Sequence, residues 1–208
     1  MKKGRARREL ILSLVPAGRQ VIDVGADHGH VAARIDGAIA TERMPHRRAI
    51  AADRGIRWVV ADGLAPFRTV DVAIIAGMGS KTIEGILTRG PAPQVAILHA
   101  PDDPQRLRTW LGANGWRIED EGLAPEGRAF AEVVRVVPGA EAATGLTLAY
   151  GPLLLRSRDP HLRAHLQHHH DYHADLARQV GDSAPAVRDD SLQRVTFLAA
   201  ELARLDGD

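Results

Sequence analysis

Asp23, Gly25 and Gly29 have the types and the spacing of a nucleotide-binding turn, because they lie at the end of an apolar run. Residues 20–24 are apolar and β-branched, which predicts a buried strand. Glycines after such a strand let a ligand approach the bare backbone, and the amides that open the next helix point toward that ligand. Many proteins carry a glycine loop, so the assignment depends on groups elsewhere in the chain.

Two acidic residues at later strand ends supply those groups. Glu42 ends the apolar segment 38–40, about 20 residues beyond the loop, where a carboxylate binds a ribose diol. Asp62 and Gly63 follow the third predicted strand, where a carboxylate can accept a hydrogen bond from the exocyclic amine of adenine. Asp-Gly is also a common turn by itself. Loop and acids together favour a bound adenine nucleoside cofactor.

Gly77 and Met78 end the fourth predicted strand, next to the switch point of a doubly wound sheet. Ligands bind there, outside the carboxyl ends of the strands, and glycine allows a cofactor or a target base to come close. Residues 80–82 read Ser-Lys-Thr, but they do not complete a P-loop, which requires a longer glycine-rich loop before the lysine. The sequence therefore does not indicate a nucleoside triphosphatase.

Predicted strands and helices alternate along the chain as far as residue 113. Predicted strands cover 20–24, 38–41, 57–61, 70–76 and 95–98, and predicted helices cover 10–15, 31–35, 45–54, 81–88 and 104–113. Alternation predicts a parallel sheet with right-handed crossovers. Segments 116–123 and 129–137 have no helix between them and predict an antiparallel hairpin. The expected fold class is α/β, a seven-stranded Rossmann-like sheet ending in an antiparallel hairpin.

The last quarter of the chain has a different periodicity. Apolar residues and histidines alternate at spacings of four and three, which predicts a coiled-coil seam at Leu162, Leu166, His169, His173, Leu176 and Val180, and again at Val195, Leu198, Leu202 and Leu205. Residues 181–185 interrupt the pattern, so we expect two antiparallel helices. The predicted domains are residues 1–151, a sheet domain with a basic N-terminal arm, and residues 152–208, a helical hairpin.

Six of the ten histidines lie between residues 161 and 173. His161, His165, His169 and His173 are four residues apart and form a stripe along one helix. No acidic partner or cysteine cluster is evident beside that stripe. We therefore expect seam and surface histidines and no metal site.

Composition excludes several classes of protein. The chain has no cysteine, which rules out disulfides, thiolate metal sites and a cysteine nucleophile. No apolar run approaches the roughly 18–20 residues that span a bilayer, and the N-terminus lacks the features of a secretion signal. We expect a cytoplasmic protein without a membrane partner.

The formal net charge of +1 does not by itself indicate a nucleic-acid partner, but five of the first eight residues are basic. These are Lys2, Lys3, Arg5, Arg7 and Arg8. They form either a solvated tail or an electrostatic arm for a polyanion. Because they precede the sheet, we expect their substitution to leave cofactor affinity unchanged.

Several motifs together resemble the bacterial tRNA (adenine-22)-N1-methyltransferase family, and the resemblance covers most of the chain. They are Asp23-Val24-Gly25-Ala26-Asp27-His28, Gly63-Leu64, Ile75-Ala76-Gly77-Met78-Gly79, Leu107-Arg108-Thr109-Trp110-Leu111, Asn114-Gly115-Trp116, Glu132-Val133-Val134 and Tyr150-Gly151-Pro152-Leu153-Leu154-Leu155. The resemblance implies a class I methyltransferase domain followed by a coiled-coil hairpin. It implies S-adenosyl-L-methionine as cofactor and tRNA as partner, with methyl transfer to N1 of adenine 22 by direct in-line displacement. One departure is His99-Ala100-Pro101, where the family tends to carry Gln-Pro-Asn.

Asp27 is unusual, since most methyltransferase loops of this form have glycine at its position. A carboxylate there either caps the following helix or lies near the departing methyl group, where it can orient the base and accept a proton. Our candidate catalytic residue is Asp27, and the candidate cofactor-binding residues are Asp23, Gly25, Asp27, His28, Glu42, Asp62, Gly63, Gly77 and Met78.

Two alternatives to this enzyme stay open at the level of sequence. One is a catalytically degenerate protein that still binds cofactor and RNA. The other is a methyltransferase for a different RNA or for a small molecule. The absence of cysteine excludes the covalent thiolate route of pyrimidine C5 methylation, and the absence of Asn-Pro-Pro-Tyr argues against exocyclic-amine methylation by that signature.

Overall fold

Seven strands form one mixed sheet in the computed structural model, which describes residues 4–44, 55–127 and 129–207. They are β1 (Val21–Val24), β2 (Ile39–Glu42), β3 (Arg57–Val60), β4 (Val72–Ala76), β5 (Val95–His99), β6 (Trp116–Glu126) and β7 (Ala129–Pro138). Their order across the sheet is β3-β2-β1-β4-β5-β7-β6. Strands β1 to β5 are parallel, and β7 lies antiparallel between β5 and β6. The predicted fold class is confirmed.

The helices of the described ranges are α1 (Arg5–Ser13), α2 (Ser80–Arg89), α3 (Pro104–Ala113), α4 (Gly145–Tyr150), α5 (Leu162–Val180) and α6 (Pro185–Gly207). Helix α1 begins five residues before the predicted helix 10–15, so it includes part of the basic segment. The predicted helix 31–35 is only a short 3-10 turn, Ala32–Arg34. The predicted helix 45–54 lies outside the described residues. Helix α3 matches its prediction, with Asp103 accepting a cap hydrogen bond from the Arg106 amide at 2.9 Å.

The centre of the sheet is covered on both faces. Val72, Ile74 and Ile75 of β4 are essentially inaccessible to solvent, as expected of a continuous apolar run in a parallel sheet. Alternate side chains point to opposite faces: Ile75 packs in a cluster with α2 and α3, and Ile74 packs in a second cluster with Ile11 of α1. The two apolar clusters stabilise the parallel strands from both faces of the sheet.

That register brings the functional loops to one edge of the sheet. Val24 at the end of β1 pairs with Thr41 of β2 on one side and with Ile75 of β4 on the other. The loops that follow β1, β2, β3 and β4 therefore converge at the carboxyl ends of the strands, which is where open α/β sheets bind ligands.

Helices α5 and α6 form an antiparallel hairpin around a 3-10 turn at Gly181–Ser183, and an ion pair of 2.9 Å joins Arg163 of α5 to Asp206 of α6. Five of the ten predicted seam positions are buried: Leu162, Leu166, His173, Leu198 and Leu202. The other five are half-buried: His169, Leu176, Val180, Val195 and Leu205. His165 and Ala177, which the predicted seam leaves out, are buried as well. None of the helices in the described ranges is long and apolar enough to cross a membrane.

Candidate functional site

A cavity of about 650 Å³ opens at the carboxyl ends of β1, β2, β3 and β4. Every residue that the sequence predicts for the cofactor lines it: Asp23, Gly25, Asp27, His28, Glu42, Asp62, Gly63, Gly77 and Met78. The structure thus brings together separate segments of the chain around one space. The volume is in the range of small-molecule and cofactor sites.

Asp23 holds the loop after β1 in place. Its side chain is buried, with 5% of the residue exposed, and its Oδ2 accepts a hydrogen bond from the Ala32 amide at 3.0 Å. Burial raises the pKa of Asp23 to about 7, against the opposing effect of that hydrogen bond. The carboxyl thus ties the end of β1 to the 3-10 turn across the glycine-rich loop.

Gly25 has the left-handed φ of +64° at which other residues are strained. A Cβ atom at this position would lie 2.1 Å from the Cε atom of Met78, so Gly25 also leaves room for that side chain. Both residues line the cavity. A side chain at position 25 would therefore require the Met78 side chain to move away from its present position in the cavity wall.

Asp27 also adopts a left-handed conformation, with φ of +47°, in a residue type that visits it less readily than glycine. The 3-10 turn begins only at Ala32, so the interpretation of Asp27 as the cap of the next helix is wrong. Its Oδ2 lies 3.5 Å from Nε2 of His28, and 45% of its side chain is exposed at the cavity. The structure thus presents a carboxylate to the cavity at the cost of backbone strain.

Glu42 and Asp62 lie at the ends of β2 and β3. Oε1 of Glu42 accepts a hydrogen bond from the Met44 amide at 3.0 Å, which fixes the carboxylate at the cavity. Oδ2 of Asp62 lies 3.8 Å from Arg89, and 61% of its side chain is exposed. Each carboxylate can therefore accept further hydrogen bonds from a bound ligand.

Arg7 and Arg8 form another part of the cavity lining. Arg7 donates to both carboxylate oxygens of Glu126, at 2.9 and 2.8 Å. The described part of the predicted arm is therefore a helix packed on the sheet domain, and Arg5 within it is exposed. Lys2 and Lys3 lie outside the described residues. Because Arg7 and Arg8 reach the cavity, the structure no longer supports the expectation that substituting these arginines leaves cofactor affinity unchanged.

His99, from the segment that departs from the family pattern, is buried at the end of β5. Its Nδ1 lies 2.9 Å from the carbonyl oxygen of Glu132, which can only accept, so Nδ1 carries the proton. Nε2 is then an acceptor and lies 3.4 Å from Nη1 of Arg7. Burial lowers the pKa of His99, in keeping with a neutral ring. His99 thus links β7 to the cavity wall.

A second polar centre lies beneath the helical hairpin, and sequence reasoning missed it. Arg108 of α3 is fully buried between Glu121 of β6, at 2.7 Å, and Glu132 of β7, at 2.5 Å. Burial alone raises the pKa of Glu132, but the Arg108 guanidinium together with His169 and His165 outweighs burial and holds that pKa far below its usual range. His165 and His169 of α5 lie beside the same carboxylate. The premise that no acidic partner accompanies the histidine stripe is therefore wrong.

Comparisons with known proteins give one matching family and several similar structures. Residues 21–199 match the family TrmK, tRNA (adenine(22)-N(1))-methyltransferase. A comparison with curated protein sequences gave no match. Among solved structures, the chain is similar to Sp1610 of Streptococcus pneumoniae in complex with S-adenosyl-L-methionine, with a TM-score of 0.81, 25% identity and coverage of 94% of this chain and 98% of that one.

Two further structures show the same fold at lower identity. TrmK of M. capricolum in complex with S-adenosyl-homocysteine has a TM-score of 0.80 at 15% identity, with 93% of this chain and 96% of that chain covered. The B. subtilis m1A22 tRNA methyltransferase TrmK has a TM-score of 0.69 at 20% identity, with 97% and 96% covered. The similarity in each case includes both the sheet and the helical hairpin, because nearly the whole of both chains is covered.

Proposed function

Because the chain belongs to the TrmK family of tRNA (adenine(22)-N(1))-methyltransferases, we propose that it methylates N1 of adenine 22 in tRNA. It is an enzyme, and its cofactor is S-adenosyl-L-methionine. The observation that carries the proposal is the convergence of all nine predicted cofactor residues on one cavity. Family membership identifies the reaction, and the cavity is its proposed place.

The cavity residues fit this cofactor by their chemistry. The carboxylate of Glu42 can accept from both ribose hydroxyls, and that of Asp62 can accept from the adenine amine. Gly25 and Gly77 leave backbone uncovered near the end of β1 and of β4, where the methionine part would lie. A Cβ atom on Gly25 would displace Met78 from this wall, which supports a site shaped for close approach.

The cofactor supplies an electrophilic methyl group on a sulfonium centre. When bound, it would supply that methyl group for direct in-line transfer to N1 of adenine, whose lone pair would displace the sulfur, so no covalent enzyme intermediate is needed. In this proposal Asp27 positions the base through its exocyclic amine and can accept a proton from the cationic product. The left-handed backbone at Asp27 supports this role, since strain of this kind accumulates at functional sites.

The proposed partner is tRNA, and the basic start of the chain is the proposed contact with its phosphates. Lys2, Lys3, Arg5, Arg7 and Arg8 are the candidates, although Arg7 is already paired with Glu126. In this proposal, residues 1–151 form the methyltransferase domain and the hairpin of 152–208 positions the tRNA by its shape. The place of action would be the cytoplasm, where tRNA is found.

Substitution of Asp27 tests the catalytic part of the proposal. Asp27→Asn keeps the size of the side chain and removes its charge and basicity, so we expect a fall in turnover of roughly 100-fold or more with little change in cofactor affinity. Transfer of a labelled methyl group to a tRNA transcript measures turnover, and calorimetry measures affinity.

Glu42→Ala serves as the matched variant, because it should change cofactor affinity more than turnover. It should weaken cofactor binding by about 1–3 kcal/mol, the usual loss for a charged hydrogen bond. If the Asp27→Asn variant turns over at the wild-type rate, the carboxylate of Asp27 has no catalytic role, and catalysis depends only on positioning by other groups. If the wild-type protein binds cofactor and tRNA but transfers no methyl group, it is a degenerate binding protein.

A further inference from the structure

Three potential metal ligands from two elements, β7 and α5, face one another under the helical hairpin. Nε2 of His165 lies 3.5 Å from Oε1 of Glu132, and Nε2 of His169 lies 3.8 Å from the same oxygen. All three ligand atoms are within 4.8 Å of one another. The two histidines are four residues apart on α5, so they project from the same face of the helix.

Glu132 has one carboxylate oxygen that its ion pair with Arg108 does not use. Arg108 binds Oε2 at 2.5 Å, while Oε1 faces the two imidazoles. Glu121, the other partner of Arg108, also accepts hydrogen bonds from the amides of Leu153 and Leu154 at 2.9 and 3.0 Å. Two buried carboxylates thus share one buried guanidinium, and the excess negative charge is at the oxygen that faces the histidines.

His165 has a buried ring nitrogen without a hydrogen-bond partner among the described residues. The residue is 2% exposed, and this nitrogen is Nε2. Burial lowers the pKa of His165 to about 4, so the ring is neutral near pH 7 and able to bind a metal ion. An unpartnered buried nitrogen is costly unless something occupies it.

We propose that Glu132, His165 and His169 bind a divalent transition-metal ion, with zinc as the best match. Two imidazole nitrogens and one carboxylate oxygen are a common ligand set of zinc, which takes a water molecule in its fourth position. Ligand atoms about 2.0–2.1 Å from a tetrahedral ion are about 3.3 Å apart. The separations at Oε1 of Glu132, 3.5 and 3.8 Å, are within about half an ångström of that value. All three ligand atoms lie within 4.8 Å of one another, so rotations that bring the two imidazoles together close the site.

Of the two residues next to these ligands, Arg108 matches the outer shell of a metal site, whereas Gln105 does so only after its amide turns. Arg108 orients the Glu132 carboxylate and keeps it ionised. Gln105 lies 3.4 Å from Nδ1 of His169, and its carbonyl oxygen accepts from Arg194 at 3.0 Å. The amide nitrogen of Gln105 therefore donates to Nδ1, which leaves the ring proton on Nε2. Metal binding at Nε2 moves that proton to Nδ1 and requires the Gln105 amide to turn.

Such an ion would join the hairpin to the sheet, because Glu132 belongs to β7 and both histidines belong to α5. The effect is a crosslink between two elements that otherwise meet through apolar packing of residues such as Leu123, Leu162 and Leu166. The site is separate from the cofactor cavity and does not depend on the proposed function.

Zinc titration of the full-length, untagged protein after removal of metals with a chelator tests the proposal. Calorimetry should give one ion per chain. At a free zinc concentration about 100 times the dissociation constant, the melting temperature should rise by about 5–10 °C. No rise in melting temperature would overturn the proposal.

His169 and its neighbour His168 provide a matched pair of variants, since His168 is exposed on the same helix. His169→Asn should reduce zinc affinity by more than the roughly 10- to 100-fold that loss of an outer-shell partner costs, and His168→Asn should leave it unchanged. Side-chain exposure of 21% makes the Asn substitution at 169 tolerable for folding, which circular dichroism checks. Equal effects of the two variants would mean that surface histidines bind the ion, and would overturn the assignment.

Gln105→Glu is a gain-of-function test of the same geometry. A carboxylate at this position can accept from Nδ1–H of His169, as in the carboxylate–histidine–zinc arrangement. We expect zinc to bind at least about tenfold more tightly to this variant. Binding that is no tighter would contradict Nε2 of His169 as the ligand atom.

Discussion

The cofactor cavity and the buried ion cluster of Arg108, Glu121 and Glu132 differ in how far their charged groups are exposed to solvent. Apart from the buried Asp23, the cavity keeps its carboxylates accessible, and it accepts backbone strain at Asp27. The ion cluster removes its charges from water, with exposures of 4% or less for each side chain. Charge in the cavity is therefore available to a ligand, whereas charge in the cluster holds β6, β7 and α3 together.

The two regions differ in what a mutation should do. Accessible groups that bind a ligand contribute little to folding, so substitutions among them should affect binding first. A fully desolvated charge is stable only with its partner, and the loss of one partner leaves the other unpaired. Stability measurements can therefore distinguish the cavity from the cluster, and three experiments do so with decreasing effect.

Arg108→Met should produce the largest effect, about 3–5 kcal/mol less free energy of unfolding, because it leaves two buried carboxylates without their counter-charge. Urea denaturation measures it. Arg163→Met is the control, because the ion pair of Arg163 with Asp206 is exposed to solvent. Its loss should lower the free energy of unfolding by less than about 1 kcal/mol. Similar losses in the two variants would mean that the cluster is not desolvated as described.

Asp23→Asn should change the pH dependence of stability. In the folded protein Asp23 keeps its proton up to about pH 7, whereas the unfolded chain releases it near pH 3.8. The folded state thus holds the extra proton between these values, so the contribution of Asp23 to stability falls as the pH rises. The free energy of unfolding of Asp23→Asn minus that of the wild type should increase between about pH 4 and 7, by up to about 4 kcal/mol.

Urea denaturation of both cofactor-free proteins at several pH values gives this difference, and titrations common to both proteins cancel in it. A difference that stays constant across the same pH range would show that Asp23 titrates normally. The carboxyl at the end of β1 would then be solvated, and it would belong with the accessible groups of the cavity.

Gly25→Ala should have the smallest effect on stability, about 1–2 kcal/mol from the left-handed backbone. Gly18→Ala is a matched control, because Gly18 has φ of +71° but nothing within 4 Å of an added Cβ atom. The variants should lose similar stability, while only Gly25→Ala should weaken cofactor binding, through displacement of Met78. Equal cofactor affinity in the two proteins would remove Met78 from the account of the cavity.

The cavity could be predicted from the sequence because its chemistry is local. Asp23, Gly25, Glu42 and Asp62 each lie at or just beyond the end of an apolar strand, and the topology of a parallel sheet brings such positions to one edge. The backbone of Asp27 could not be predicted in this way. Residue type favours Asp27 as a helix cap, but the 3-10 turn that follows begins at Ala32, too far along the chain for Asp27 to cap it.

The ion cluster could not be predicted because its members are far apart in sequence. Arg108, Glu121, Glu132 and His165 belong to α3, β6, β7 and α5, and no short-range spacing relates them. One available signal was the position of Arg108 between Leu107 and Leu111 on the buried face of α3, where a charge requires a partner. The identity of that partner depends on the hairpin register, which an irregularity between Ile118 and Asp120 shifts, and a shift of one position turns a side chain to the other face of the sheet.

The site of methylation in tRNA tests the central claim most directly. A tRNA transcript is incubated with the protein and S-adenosyl-L-methionine, digested, and the modified nucleotide is identified and located by mass spectrometry. The account predicts N1-methyladenosine at position 22, and no product from a transcript in which that adenine is replaced by guanine. Methylation at another nucleotide, or none while both cofactor and tRNA bind, would contradict it.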